Sequence, residues 1–200
     1  MARLLLLRHG QSVWNAQQRW QGQADPPLSP AGEAQARAAA EWLAGHGFDG
    51  VVTSDQQRAR RTAELIADAL GLPPPELEPG LQERHVGDWS GLTVEEVTTR
   101  WPGQLEAWRA GHLERPPNGE GHTEFGQRVM EVVERLADRP ESALLVVTHG
   151  GVINRVGRAL GAKWHSNFNL CGWWIEPGPT PGERAAPPDD EVQAAATTVL

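Results

Sequence analysis

Two short stretches bring imidazole, guanidinium and glycine together directly after apolar runs. Arg8-His9-Gly10 follows Leu4-Leu5-Leu6-Leu7, and Thr148-His149-Gly150-Gly151 follows Ala143-Leu144-Leu145-Val146-Val147. Turns of this kind suit oxyanion chemistry. They offer an imidazole that can attack or donate, a permanently charged planar fork, backbone N–H groups near a helix start, and glycines that admit an anion close to the main chain. A single histidine after a strand is ordinarily a packing or capping residue. Two at matching positions favour a site.

The apolar runs read as strands buried on both faces. Helical patterns fall between them. Ser29 as N-cap with Pro30 at the first helical position starts one that runs to Leu43. Ser54-Asp55 caps another over residues 56–70, and a periodic segment from Thr123 to Ala137 places Phe125, Val129, Val132, Val133 and Leu136 on one face. Weaker helices are expected over Val94–Trp101, Leu105–Ala110 and Val152–Leu160, with a weak strand over Glu76–Leu81. The alternation predicts an open, mostly parallel α/β sheet with helices on both faces. Residues 1–176 form the expected single domain, and the Pro- and acid-rich segment 177–200 is expected to be partly mobile. In such a sheet, ligands gather beyond the carboxyl ends of the strands, where both His-Gly turns stand.

Composition narrows the partners. With 200 residues and 39% hydrophobic content, one core is expected. Lys+Arg total 18 against 26 Asp+Glu, a net charge of -8, which disfavours nucleic acid. Residues 1–75 carry seven charges of each sign, so the whole excess falls on residues 76–200. Only Lys163 is lysine among the basic residues. Nine Trp accompany no Tyr, so phenol chemistry is excluded. The single Cys171 can form no internal disulfide and no thiolate cluster for zinc, which makes a reducing, cytoplasmic setting the expectation. Leu4–Leu7 is too short for a membrane span.

The stretch Leu7-Arg8-His9-Gly10-Gln11-Ser12-Val13-Trp14-Asn15 resembles the signature of the histidine phosphatase superfamily, in its phosphoglycerate-mutase-like branch. Leu28-Ser29 with Gly32, Arg58-Ala59 with Thr62-Ala63, Leu81-Gln82-Glu83 with Gly87-Asp88-Trp89 and Gly91, and the second His-Gly turn agree with it in order and spacing. The resemblance runs from residue 4 to about 155. It implies a three-layer fold and phosphoryl transfer through a phosphohistidine on His9. Arg8, Arg58 and a protonated His149 would surround the phosphoryl oxygens with Asn15 adding a neutral hydrogen bond, and Glu83 would be the general acid and base. Neither a cofactor nor a metal is implied.

Gln21, Gly22, Gln23 and Gly150 fall where family members contact substrate. Trp89 is expected to desolvate Glu83. The imidazoles are expected to titrate together, His9 neutral while His149 is charged. Arg60 and Arg61 are expected on the solvated side of their helix, His85 in solvent, and His46, His112 and His165 at the surface or in packing. His122 stands where relatives carry a small hydroxyl residue.

Gly151, where family mutases tend to have Asn, and the short segment 94–118 favour hydrolysis. The expected activity is therefore a metal-independent phosphomonoesterase, the alternatives being a cofactor-dependent phosphoglycerate mutase and a non-catalytic phospho-ligand sensor. Trp20–Gln23 with Glu83–Trp89 is similar to the family's glucosyl-3-phosphoglycerate phosphatases, and also to its broad-specificity sugar and nucleotide phosphatases. The expected partner is a small phosphorylated metabolite, held beyond its phosphate by neutral polar groups, with neither nucleic acid nor membrane as partner. Family members are often homodimers, and Trp173-Trp174-Ile175 could serve an interface or cover the core.

Overall fold

The computed structural model describes residues 1–161, 168–175 and 184–185, the last pair by backbone alone. Along the chain run β1 (Arg3–Arg8), α1 (Val13–Ala16), α2 (Pro30–Leu43), β2 (Gly50–Thr53), α3 (Gln57–Leu70) and β3 (Glu76–Leu77). There follow α4 (Val94–Arg100), α5 (Gln104–Arg109), α6 (His122–Ala137), β4 (Ala143–Thr148), α7 (Gly150–Ala159), β5 (Gly172–Ile175) and β6 (Arg184–Ala185). The strands form one open sheet in the order β3-β2-β4-β1-β5-β6. The first four are mutually parallel, and β5 and β6 add an antiparallel edge.

Alternate residues of the central strands face opposite layers, so each apolar run is buried on both sides. Leu5, Leu7, Leu145 and Val147 pack with Ala39 and Leu43 of α2 and Ala59, Ala63 and Ile66 of α3. Leu4, Leu6, Leu144 and Val146 pack with Phe125, Val129 and Leu136 of α6 and Val152, Ile153 and Val156 of α7. Truncating one of these leucines to alanine costs about 2–5 kcal/mol, part of it for the cavity left behind.

Local chemistry sets the helix starts. Ser29 Oγ accepts from Gly32 N at 3.0 Å and Pro30 takes the first helical position, as expected. The start of α3 differs: the N-cap is Gln56, without a side-chain cap bond. Ser54 Oγ lies 2.9 Å from His149 Nε2, and Gln56 Oε1 accepts from Glu83 N at 2.9 Å. These side chains serve the neighbouring turns, so α3 forgoes its cap.

Trp173-Trp174-Ile175 forms β5 and covers the core: Trp174 is 7% exposed and stacks on Phe48 with centroids 5.6 Å apart. A separate cluster of Val86, Trp89, Val97 and Leu105 packs with Trp20 and Trp108. Its three indoles meet edge-to-face at 5.6–5.9 Å, the arrangement that aromatic quadrupoles favour. His165, and residues 177–200 apart from 184–185, lie outside the described residues.

Candidate active site

Parallel pairing of β1 and β4, in register up to Arg8 opposite Thr148, brings the two His-Gly turns side by side. The rings of His9 and His149 meet edge-on at 5.2 Å, and both residues are buried. Arg58 Nε donates to His9 Nε2 at 3.2 Å. A guanidinium N–H can only donate, so Nε2 carries the lone pair and Nδ1 the proton. That proton goes to the Gly10 carbonyl at 2.6 Å. Burial first, then the charges of Arg58 and Arg8, hold His9 well below the usual histidine range. The ring is neutral at neutral pH.

The same causes act on His149. Burial first, then Arg58, His9 and Arg8, push it well below the ordinary value. The expectation of a charged His149 does not hold in the free site, because two guanidinium groups already occupy this dry corner. Its Nδ1 has no hydrogen-bond partner.

Arg58 is 1% exposed and held on several sides. Its Nη1 donates to the Ala24 carbonyl at 2.9 Å and its Nη2 to the Gly22 carbonyl at 2.9 Å. Gly22 adopts φ +53, and a Cβ there would lie 2.7 Å from Val86 Cγ2, so the loop needs glycine to turn its carbonyl toward Arg58. Burial lowers the Arg58 pKa to about 10 against the opposing pull of Glu83 and Asp25. Arg8 is pulled down by burial, partly offset by Glu83, and its buried Nε has no partner. An unsatisfied guanidinium N–H beside a cavity is a ready anion donor.

Glu83 stands at the start of α7. Its Oε2 accepts from Gly151 N at 3.0 Å and its Oε1 from Arg84 N at 2.8 Å. A Cβ on Gly151 would run into this carboxylate, so glycine at 151 is what lets Glu83 approach the helix end. Arg128 holds the segment from behind, donating from Nη1 to the Gly80 and Gln82 carbonyls at 2.9 and 3.0 Å while pairing with Glu120 at 2.8 Å. Trp89 does not line the cavity. Its burial in the indole cluster removes the expected desolvation of Glu83, whose carboxylate is held by backbone amides.

Asn15 accepts from Ser12 N at 3.1 Å through Oδ1, which leaves its Nδ2 as a donor, and it lines the cavity. Gln21 lines it too, with Oε1 taking a bond from Ser12 Oγ at 2.7 Å. Gly22 and Gly150 also line it, whereas Gln23 does not. The backbone donors expected at the first turn are already used, Gly10 N by Thr62 Oγ1 and Gln11 N by Gln35 Oε1. Donors there come from side chains. Arg60 and Arg61 pair with Glu64 and Glu33 on the exposed face, His85 is exposed, and His46 packs against Trp174 and Phe48. Among the described residues, no three His, Cys, Asp or Glu side chains converge as metal ligands would.

Arg8, His9, Asn15, Gln21, Gly22, Arg58, Glu83 and Gly150 share one cavity of about 1190 Å³, and the buried His149, edge-on to His9, is not among its lining residues. A family model described as the histidine phosphatase superfamily (branch 1) matches residues 4–171. The chain belongs to the histidine phosphatase superfamily. A glucosyl-3-phosphoglycerate phosphatase of Mycolicibacterium vanbaalenii is 39% identical over 181 residues, 85% of this chain and 79% of that one. A 2,3-bisphosphoglycerate-dependent phosphoglycerate mutase of Methylobacterium radiotolerans is 45% identical over 132 residues, 64% of this chain and 62% of that one. The solved structure of a mycobacterial glucosyl-3-phosphoglycerate phosphatase in complex with VO3 superposes with a TM-score of 0.78 at 32% identity, covering 88% of this chain and 91% of that one.

The cavity of this histidine phosphatase corrects one further expectation. Its outer lining is strongly cationic: Arg19, Arg84, Arg109, Arg155 and Arg158 join Arg8 and Arg58, and Glu83 is the one carboxylate among the described lining residues. Arg155 and Arg158 follow Gly151 by four and seven residues, the spacing of one helix face. That spacing was present in the sequence, but it becomes informative only once α7 is known to turn that face to the cavity. Asn169 had no such signal. It donates to the His9 carbonyl at 2.8 Å, across 160 residues.

Proposed function

We propose that this phosphoric monoester hydrolase cleaves a small phosphorylated metabolite through a covalent phosphohistidine on His9. The observation that carries the reading is the His9 tautomer, with Nε2 unprotonated beside Arg58 and Nδ1–H fixed on Gly10. As a phosphoryl group enters, Arg58 Nε transfers its bond to an equatorial oxygen, and Arg8 Nε and Asn15 Nδ2 take others. The freed lone pair attacks phosphorus, the Nε2–P bond forms, and the P–O bond to the alcohol breaks as the Glu83 carboxyl protonates that oxygen. Water then attacks phosphorus, the Nε2–P bond breaks, and Glu83 receives the water's proton. The incoming negative charge also favours protonation of His149, which then adds a third cationic donor. Positioned charge of this kind is ordinarily the largest catalytic contribution.

The test is release of phosphate from an aryl phosphate in the presence of chelator, with rapid quench to trap the phosphoenzyme. His9→Ala is expected to abolish both signals. Glu83→Gln is expected to slow alkyl esters far more than aryl esters, whose leaving group needs no proton. Equal losses on both would contradict the role of Glu83.

A mutase reading draws on the relative named above and on the arginine-rich cavity. Gly151 and the short α4–α5 segment favour water as the acceptor. Transfer between the 2- and 3-positions of phosphoglycerate faster than hydrolysis would reverse this preference. The sensor reading predicts loss of His9, Arg58 or Glu83, and all three are present. A cytoplasmic location is proposed because the single cysteine, Cys171, can form no internal disulfide, and a homodimer is proposed from the family resemblance.

A further inference from the structure

One buried amide joins three parts of the site. Gln56 stands at the N-cap of α3, is 4% exposed, and makes no cap bond with its side chain. Its Oε1 accepts from Glu83 N at 2.9 Å and from Arg58 Nη2 at 3.4 Å. Its Nε2 donates to the Gly22 carbonyl at 3.2 Å and to the Ala24 carbonyl at 3.4 Å. The partners fix the orientation of the amide, because the backbone N–H and the guanidinium can only donate and the two carbonyls can only accept. Both lone pairs and both protons are used. The same two carbonyls accept from Arg58 at 2.9 Å, so Gln56 and Arg58 grip one loop from the same helix start.

Packing at this position needs only an apolar side chain of similar length, whereas a buried amide is tolerated where each of its polar atoms finds a partner. Neighbouring contacts run the same way. Gln82 Nε2 donates to the Asp55 carboxylate at 2.9 and 3.0 Å, and Gln57 N donates to Asp25 Oδ1 at 2.7 Å. The start of α3 therefore holds the acid turn on one side and the 22–25 loop on the other, and of these side chains Gln56 alone bonds to both. Glu83 is pinned twice: the Gly151 amide holds its carboxylate, and Gln56 holds its main chain. We propose that Gln56 is a positioning residue that fixes the spacing between the Glu83 carboxyl and the phosphoryl site, by tying the backbone of the acid to Arg58 and to the substrate loop. The role rests on the phosphoryl transfer proposed above. The acid must meet the leaving oxygen while that oxygen is still bonded to phosphorus, and a small displacement of the carboxyl weakens that meeting steeply.

The test compares glycerol 3-phosphate, whose leaving alkoxide needs a proton, with 4-nitrophenyl phosphate, whose leaving group does not. Gln56→Met removes all four bonds and nearly keeps the volume. It is expected to lower the alkyl-to-aryl ratio of kcat about tenfold and to raise KM for both esters, since the acid and the loop each lose a hold. Both esters are measured on one preparation, so the ratio does not depend on how much of it has folded. Gln56→Glu keeps the acceptor for Glu83 and loses the donors to the loop. It is expected to raise KM while the ratio stays within threefold of wild type. With Glu83→Gln itself sensitive to the leaving group, a ratio unchanged in Gln56→Met, or lost as fully in Gln56→Glu, overturns the role. The decisive arm is the double-mutant cycle. In the Glu83→Gln background, Gln56→Met is expected to change the alkyl-ester kcat less than twofold, whereas a merely structural contribution multiplies the two single losses and overturns the proposal. The cycle also separates this idea from the acid role. Equal losses on both esters in Glu83→Gln with a non-additive cycle reject the acid and keep the coupling of Gln56 to Glu83, while a leaving-group dependence with an additive cycle does the opposite.

Discussion

Arg58 donates from Nε to Nε2 of His9 at 3.2 Å, and this contact decides which ring nitrogen can react. Lysine cannot reproduce it. Its single ammonium would have to serve His9, Gly22 and Ala24 from one point, where the guanidinium fork reaches all three. Arg58→Lys is therefore expected to lower kcat about 10²–10³-fold, the usual effect of losing one transition-state donor. Steady-state kinetics on an aryl phosphate checks this, and a variant retaining a tenth or more of wild-type kcat would show the fork to be dispensable.

The buried imidazoles tie stability to pH. Burial and the two arginines lower the folded-state pKa of His9 and His149, while unfolding returns each to its ordinary value near 6.5. Below about pH 6.5 the unfolded chain binds the extra protons, so folding stability is complete above that pH and falls as the pH drops through it. The slope is at most about 1.4 kcal/mol per pH unit for each histidine. His149→Gln is expected to flatten the fall in Tm between pH 7 and pH 5. Identical pH profiles for the variant and the wild type would falsify the assignment.

At the start of α7, Gly151→Ala would push a methyl group into the Glu83 carboxylate. The carboxylate must then leave the Gly151 amide, and kcat on alkyl esters is expected to fall about tenfold, from the loss of a hydrogen bond to a charged group. Aryl esters, which need no proton from Glu83, should change little. A uniform loss on both would point to general damage at the helix end.

Arg128 does not line the cavity, yet it holds the Gly80 and Gln82 carbonyls and Glu120. Arg128→Ala is expected to cost about 1–3 kcal/mol in urea melts, because part-buried acceptors lose their donor. It should also reduce kcat for alkyl esters more than for aryl esters, with partial recovery in Arg128→Lys. Lost stability with an unchanged leaving-group dependence would confine Arg128 to holding the fold.

Much of this was legible in the chain itself. The runs at Leu4–Leu7 and Ala143–Val147 announce strands buried on both faces, and Ser29-Pro30 sets the start of α2. The edge strand β5 was not legible, because Trp173-Trp174-Ile175 is equally apt for an interface until its antiparallel partner is known. At the site, the motif residues came together as expected. The charge state of His149 did not follow, since it depends on burial and on guanidinium groups drawn from two distant segments. Gln23 sits beside two lining residues but faces elsewhere, a difference of side-chain direction that spacing does not record. The cationic outer wall escaped for a related reason: Arg84 and the Arg155–Arg158 pair of α7 belong to two separate segments that only the fold brings together.

The in-register pairing of β1 with β4 also makes activity a strict reporter of assembly. Slipping either strand by one residue would invert its faces and shift one imidazole by about 3.3 Å against the other. A misaligned molecule would then be silent instead of slower. Active-site titration divided by total protein should therefore count correctly registered molecules in a refolded sample, giving a measure of folding yield that helix content by circular dichroism cannot supply.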